Sequence, residues 1–476
     1  MRRTKIICTL GPNTSSEKSI ENLIKAGMNI ARLNFSHGNH DFYRSLINRI
    51  RAISSRLRKP IAILQDLQGP KIRTGQMNNG AIYLNDGKTT TITTKSILGT
   101  SECFSTQYPN LPNDVRKNDI ILLNDGKLTI KCLSKTNTNI LCKILHGGIL
   151  ENNKGMNIPR RSLSTPSLTK KDIIDVYFGA NIGVDAVALS FVRSAEDIRS
   201  LKKELSFSKT YPLILAKLEK EQAIKKQDEI LEESDGVMVA RGDLGVEMPP
   251  EEVPAIQKEV IINSNNRGKL VIVATQMLES MISSPIPTRA EASDVANATL
   301  DGADILMLSG ETANGDFPIE SVKIMNRIIL QIEKSDLSRY WRAPMELSTK
   351  STQKQQNAIA LAAVRAAEEV KCSAIAIFTT SGATAWLVAN CRPKVPIFAF
   401  VTGISEQRRL SFVWGVQTEV IKSPTSLENL WRQIQNRLIK MYDFKNNQTI
   451  VLLSKFPFAP HQRTNALHIH TINTLS

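Results

Sequence analysis

The sequence predicts an α/β protein: a (β/α)8 TIM barrel, a small β-domain inserted into one of its loops, and an open α/β domain at the C-terminus. Three observations predict it. Short apolar, β-branched runs alternate with amphipathic helical stretches from the N-terminus to about residue 340. The segment 75–160 breaks that rhythm with a texture rich in Thr, Asn and Gly. After a polar linker, 347–356, the alternation resumes. A chain of 476 residues has room for two to four domains at ~100–200 residues each.

The barrel strands are expected at Ile6–Leu10, Met28–Phe35, Ile61–Leu67, Ala186–Phe191, Leu213–Glu219, Val237–Leu244, Leu270–Gln276 and Ile305–Gly310. Each is a short, nearly continuous apolar run, as a parallel strand covered on both faces requires. Helices are expected between them, for example at Ser16–Ala26, Asp41–Leu57, Pro250–Asn266 and Pro318–Lys334. In the interruption, strand-like pieces at Ala81–Leu84, Thr89–Thr94, Ile120–Leu123, Leu128–Leu133 and Ile140–Leu145 are punctuated by Asn-Gly and Asn-Asp-Gly turns. Setting them aside leaves 1–74 and 161–346, close to the ~250 residues of such a barrel. From 347 to 476 come a helix at Ala358–Val370, strands at Ala374–Phe378, Pro396–Val401, Glu419–Ile421 and Thr449–Leu453, and an edge strand at Ala466–Ile472.

Composition excludes several classes of function. With 41% hydrophobic and 22% charged residues the chain is no disordered protein. No apolar run reaches the ~20 residues of a membrane span, and Ile6–Leu10 is too short for a secretory signal core. Six cysteines without a C-x-x-C pair fit a reducing compartment and no thiolate zinc site. A cytoplasmic enzyme is the expectation. The net charge of +16 raises the alternative of a basic nucleic-acid-binding protein, yet no zinc-finger, RNP-like or basic-repeat pattern accompanies it. The excess is also local: residues 1–60 carry +9 and 347–476 carry +9, which leaves −2 for 61–346. The barrel and its insertion are thus near neutral, so substrates are drawn by local cations, and the basic C-terminal part favours an anionic effector or a weak polyanion contact.

A barrel of this kind carries its chemistry at the C-terminal ends of its strands. Strand two ends in Arg32, Asn34 and Ser36, strand three in Asp66, and strand five in Lys217 and Glu219. Strand six is read to end in Arg241 and Asp243, strand seven in Thr275, and strand eight in Ser309 and Glu311. Alternating residues share a face. Glu219 and Asp243 offer two carboxylates to Mg2+ (or Mn2+), which completes its octahedron with waters and substrate oxygens. With Lys217 and Arg32 beside them the set points to phosphoryl transfer; a structural ion-pair set with Lys217 and Arg241 is the bland alternative. No P-loop or protein-kinase motif is present.

At these residues the chain resembles the pyruvate kinase family along essentially its whole length. The motifs are RRTKIICTLGP, MNIARLNFSHG, GPKIRTG, SDGVMVARGDLGVE, ATQMLESM and PTRAEASDVANATLDGADILMLSGETANGDFP. The resemblance implies transfer of the phosphoryl group of phosphoenolpyruvate to ADP, giving pyruvate and ATP. It implies that Glu219 and Asp243 hold the divalent metal, that Lys217 stabilises the phosphoryl group and that Arg32 grips it. The backbone of Arg241, Gly242 and Asp243 receives the substrate carboxylate, and Thr275 belongs to a water-assisted proton relay. Asn34, His37, Arg73 and Lys154 match positions near the nucleotide. A monovalent K+ site corresponds to Asn34, Ser36, Asp66 and the Leu67 carbonyl. The inserted domain is the lid; Asp125 reads as a turn residue near its closing edge. A homotetramer is expected, with no membrane and no specific nucleic acid as partner.

Four departures from the family pattern stand out. Leu67-Gln68-Gly69-Pro70-Lys71 replaces a segment that commonly ends in a glutamate, so Lys71 is expected to stand in for K+ and make it dispensable. Thr379, Thr380, Ser381, Gly382 and Thr384 form a hydroxyl-rich loop before a helix, a cradle for a phosphorylated effector; an ordinary capping turn reads the same way. The companion loop 454–465 has two prolines and no glycine. The lid-return segment carries Arg160 where a glycine commonly stands. The rival within the same fold is another barrel enzyme handling phosphoenolpyruvate or a keto acid, a lyase or carboxylase.

Overall fold

The computed structural model describes residues 1–159, 161, 164–208, 211–335, 354–458 and 463–473. The linker up to residue 353, Arg160 and positions 459–462 of the companion loop lie outside them. Eight parallel strands close into a barrel: Lys5–Thr9, Ile30–Asn34, Ala62–Asp66, Ala186–Leu189, Leu213–Leu218, Gly236–Ala240, Leu270–Ala274 and Ile305–Leu308. Each pairs with its sequence neighbours, and the first closes on the eighth with Lys5 opposite Ile305.

Alternation along the strands separates two apolar layers. Ile7, Leu64, Leu215, Met238, Ile272 and Met307 fill the interior, whereas Cys8, Ile63, Ile214, Val237, Val271 and Leu306 face the surrounding helices. The helices begin where side chains can satisfy their free N–H groups. Ser16 caps Glu17–Ala26, and capping boxes at Thr169 and Thr288 start Lys170–Ile182 and Arg289–Leu300.

Strand six departs from the sequence reading. The run Val237–Leu244 is not one strand: it stops at Ala240, and Arg241–Glu247 is a short helix. Arg241 and Asp243 therefore sit on a helical turn above the strand and do not alternate along it.

Between the third and fourth barrel strands the chain builds a six-stranded sheet and a two-stranded ribbon around one core. Short strands at Cys103–Ser105, Gly148–Glu151 and Met156–Asn157 join those expected. The C-terminal sheet has five strands, four parallel, with Ala466–Thr471 antiparallel at one edge.

The C-terminal domain covers the N-terminal face of the barrel. Phe412 is fully buried with the barrel interior, and the Trp386 indole N–H donates to the Gly268 carbonyl (2.9 Å). Asp185 and Asp304, each just before a barrel strand, pair with Arg408 (2.9 Å) and Arg392 (2.7 Å). Both aspartates also accept a backbone N–H from a neighbouring barrel strand, from Ile63 and Val271. One face is thereby sealed, and the C-terminal mouth is left for chemistry.

Lys5 lies in this contact, donating its ammonium to the Val416 carbonyl (2.7 Å). Burial lowers its pKa from 10.5 to about 7; Arg2 pushes the same way and Glu333 against it. Between those values the unfolded chain keeps a proton that the folded chain releases, so stability rises with pH across that window. Lys5→Met is expected to abolish this rise, read as denaturation midpoints at about pH 7 and about pH 9.5. An unchanged pH slope contradicts the buried, neutral lysine.

Candidate active site

The mouth is organised by a lysine buried among acids. Lys217, near the end of the fifth strand, places its ammonium 2.7 Å from Glu219 Oε1, 3.5 Å from Asp66 Oδ1 and 2.9 Å from Ser190 Oγ. Burial acts to lower its pKa, but the charges of Asp66, Glu219 and Asp243 outweigh burial and raise it, so Lys217 stays a cation. Asp66 is also buried, which acts to raise its pKa; Lys217 and Arg32 prevail and lower it. Arg32, near the end of the second strand, pairs with Asp66 Oδ2 at 2.6 Å and donates to Thr9 Oγ1 at 2.9 Å.

Glu219 differs. Burial raises its pKa, Lys217 opposes that, and the nearby Asp243 charge adds to it. Its Oε2 accepts the Phe191 N–H (2.7 Å), while its fully buried Oε1 touches Lys217 without the alignment of a hydrogen bond. The Asp243 carboxylate takes no hydrogen bond or ion pair among the described residues. A buried Glu219 whose charge is disfavoured, beside an Asp243 carboxylate without a protein partner, suits a divalent cation between them. No group of three or more His, Cys, Asp or Glu side chains able to hold a metal occurs among the described residues. Mg2+ commonly takes one or two carboxylates and completes its shell with water and substrate oxygens.

Around Thr275 the backbone is held in an unusual conformation. Thr275 and Gln276 have φ of 68° and 54°, costly for a β-branched residue. Arg241 clamps them, its guanidinium donating to the Thr275 carbonyl (2.7 Å) and the Gln276 carbonyl (3.1 Å) while it pairs with Asp294 (2.7 Å). The Thr275 hydroxyl donates to the Ala274 carbonyl (2.6 Å) and accepts the Gly242 N–H (2.8 Å). A Cβ at Gly242 would lie 3.3 Å from that oxygen, so a side chain there crowds the hydroxyl.

The other expected residues fall into two groups. Asn34 Oδ1 accepts the Ser36 N–H (3.2 Å), the Leu67 carbonyl accepts the Ser190 hydroxyl (2.7 Å), and Asp66 bears two cations. Three of the four monovalent-site positions thus have protein donors on their oxygens. Lys71 is not among those donors; its ammonium lies 3.8 Å from Asp125 Oδ1 of the inserted sheet. Arg73 and Lys154 mark the two chain crossings into that sheet, where Arg73 bridges Gly155, donates to the Asn153 carbonyl (3.0 Å), and Lys154 pairs with Glu151 (2.7 Å). His37 is exposed on the loop after the second strand. Asp125 is a turn residue with φ of 55°, and the adjoining Gly126 faces Val246 on the helix that carries Asp243.

In the C-terminal loop, Thr379 Oγ1 already accepts the Gly382 N–H (3.0 Å), Ser381 Oγ the Ala383 N–H (3.4 Å), and Thr384 meets Thr464 (2.6 Å). The Thr380 side chain is exposed.

Sequence reasoning missed Ser190 and Phe191, although a serine closing the apolar run of strand four carries the same signal that found Asp66. It also missed Glu247, which is buried and binds both Lys220 and Asn157 (2.9 Å), tying the return of the inserted sheet to the Arg241–Glu247 helix.

Known proteins resemble this chain in sequence and fold. The family model described as pyruvate kinase, barrel domain, matches residues 1–322, and that for the pyruvate kinase alpha/beta domain matches 357–470. Over the whole chain and 81% of the relative, it is 41% identical to a pyruvate kinase of Geobacillus stearothermophilus and 42% identical to one of Sporosarcina psychrophila. The crystal structure of a pyruvate kinase from Cryptosporidium parvum superposes with a TM-score of 0.91 at 36% identity, covering 99% of this chain and 96% of that one. Matches over both domains, at such identity and with such coverage, leave one conclusion: the chain belongs to the pyruvate kinase family.

Proposed function

We propose that the barrel mouth moves the phosphoryl group of phosphoenolpyruvate to the β-phosphate of ADP. One observation carries this reading: a buried ammonium and a guanidinium converge on Asp66, beside the Glu219 carboxylate and an Asp243 carboxylate that has no protein partner among the described residues. A nucleotide oxygen attacks phosphorus, the bond from phosphorus to the enol oxygen breaks, and its electron pair stays on that oxygen. Arg32 orients the phosphoryl group and Lys217 neutralises charge on it in flight. The enolate then takes a proton at its terminal carbon from the Thr275 side, through water, giving pyruvate. Glu219 and Asp243 would hold Mg2+ or Mn2+, which supplies charge neutralisation across the phosphate oxygens. The backbone of Arg241, Gly242 and Asp243 takes the substrate carboxylate, for which the Gly242 N–H exchanges the Thr275 hydroxyl it meets in the free site. Asn34, His37, Arg73 and Lys154 face the nucleotide, and the inserted sheet acts as the lid. Pyruvate formation that needs both ADP and Mg2+ tests this reading; pyruvate released without ADP points to a lyase.

K+ is dispensable on this account. The oxygens at Asp66, Leu67 and Asn34 have protein donors, and Lys71 brings a fixed cation to the lid edge at Asp125. Rates in K+ and in tetramethylammonium buffers are expected to agree within about twofold. A large drop without K+ in the natural chain rejects it. Among the described residues no helix is long and apolar enough to cross a membrane, and cytoplasmic glycolysis in a homotetramer is the setting proposed. The +9 balance of 347–476 favours an anionic effector at the loop around Thr380.

A further inference from the structure

Two of the six cysteines face each other inside the inserted sheet. Cys132, in the strand Leu128–Lys135, lies directly opposite Cys142, in the antiparallel strand Asn139–His146. Opposite residues of an antiparallel pair point to the same face, and here both side chains are fully buried in one core. The Cys132 N–H donates to the Asp119 carbonyl (2.9 Å), and its carbonyl accepts from the Asn118 N–H (2.8 Å). In an antiparallel sheet both groups of one residue point to the same neighbour, so those of Cys132 point away from Cys142. The two cysteines therefore form a non-hydrogen-bonded pair, the closer of the two kinds, with Cα atoms about 4.5 Å apart. That separation falls in the 4.4–6.8 Å range that a disulfide spans.

Neither sulfur is committed elsewhere. Each makes only a long contact to a carbonyl of its own strand, Cys132 to Ser134 (3.9 Å) and Cys142 to Ile140 (3.8 Å). No other cysteine stands opposite a cysteine in a described strand pair: Cys8 faces Leu308 and Ala31, and Cys103 faces Thr91. The lower end of the same hairpin begins just after the Asn124–Gly126 turn, whose Asp125 meets Lys71 and whose Gly126 faces Val246.

We propose that Cys132 and Cys142 are a redox dithiol of the inserted sheet, closed to a cross-strand disulfide by hydroperoxides. One thiol gives up its S–H proton as its sulfur attacks the outer peroxide oxygen; an S–O bond forms and the O–O bond breaks, giving a sulfenic acid and, with that proton, a molecule of water or alcohol. The second thiol displaces hydroxide as water, its S–H breaks and the S–S bond forms. Two electrons and two protons pass from the thiols to the peroxide. Burial raises the Cys142 thiol to about 12, with Cys132 adding to the rise, and burial raises Cys132 as well. The pair therefore stays protonated and reacts when the sheet opens, which makes it a slow recorder of sustained oxidation. Closed, the bond pins the hairpin whose first strand follows the Asp125 turn.

The test uses the full chain. Folded protein is treated with hydrogen peroxide, denatured, and its remaining thiols are alkylated. The expected result is a fall from six labelled cysteines to four, a dithiothreitol-reversible loss, with a peptide linking 132 to 142. Cys132→Ala and, separately, Cys142→Ala should lose that reversible pair. Amide exchange across 128–146 should slow in the oxidised natural chain and not in either variant. Six labelled thiols after oxidation, or a reversible loss that persists in both variants, overturns the proposal.

Discussion

Lys217→Met is expected to lower kcat by about 10³-fold or more, the scale of losing a preorganised charge from a phosphoryl-transfer site. The KM for phosphoenolpyruvate should change far less, because Arg32 still holds the phosphate and the Gly242–Asp243 backbone the carboxylate. The substitution also leaves Asp66 and Glu219 buried with less compensation. A stability loss of about 3–5 kcal/mol is the scale for breaking such a pair, and Arg32 moderates it at Asp66. Enzyme that remains folded separates chemistry from stability. Exchange of the methyl protons of pyruvate, which needs the Thr275 side and not the phosphoryl step, should persist in the variant. A kcat within tenfold of the natural chain, or equal loss of transfer and exchange, contradicts the role assigned to Lys217.

Glu219→Gln keeps shape and removes charge. Its activity should fall on the order of 100-fold or more, with a higher Mg2+ requirement, because one of two metal-binding carboxylates becomes a neutral amide. Metal-free stability should move the other way or stay constant. Burial first, then the Asp243 charge, raises the Glu219 pKa above its unfolded value, while Lys217 opposes. Its folded form therefore favours the proton, and the carboxylate loses stability as pH rises above the ordinary glutamate range. At neutral pH the amide avoids that cost. Thermal melts with and without Mg2+ give the reading: the natural chain gains from the metal and the variant gains little. A variant that melts well below the natural metal-free chain contradicts this view of Glu219.

Much of this was legible in the sequence, and the limits are physical. Buried runs such as Leu270–Ala274 and Ala374–Phe378 announce themselves because a parallel strand must be apolar on both faces. Arg241 and Asp243 were found and misplaced. The run Val237–Leu244 keeps its apolar alternation while the chain turns into a helix at Arg241, and periodicity over so few residues cannot register the turn. Lys71 was singled out for its charge, but its partner Asp125 sits 54 positions later on a turn of the inserted sheet. Only the fold of that sheet brings them near. The same holds for Glu247 with Asn157, and for Cys132 with Cys142, whose register depends on a bulge between Cys132 and Ser134. The basic balance of the two chain ends now has a structural setting. Arg3 at one end donates its guanidinium to the Lys394 carbonyl of the C-terminal domain, while Arg392 and Arg408 from the other end pair with aspartates beneath the barrel. Part of that charge is thus spent on holding domains together.

Phosphorus NMR of the full-length protein with phosphoenolpyruvate, ADP and Mg2+ tests the central claim most directly. The account predicts that the phosphoenolpyruvate signal declines as the γ-phosphate signal of ATP grows one for one, with an equal amount of pyruvate. Inorganic phosphate in place of ATP, or consumption of phosphoenolpyruvate without ADP, would contradict it.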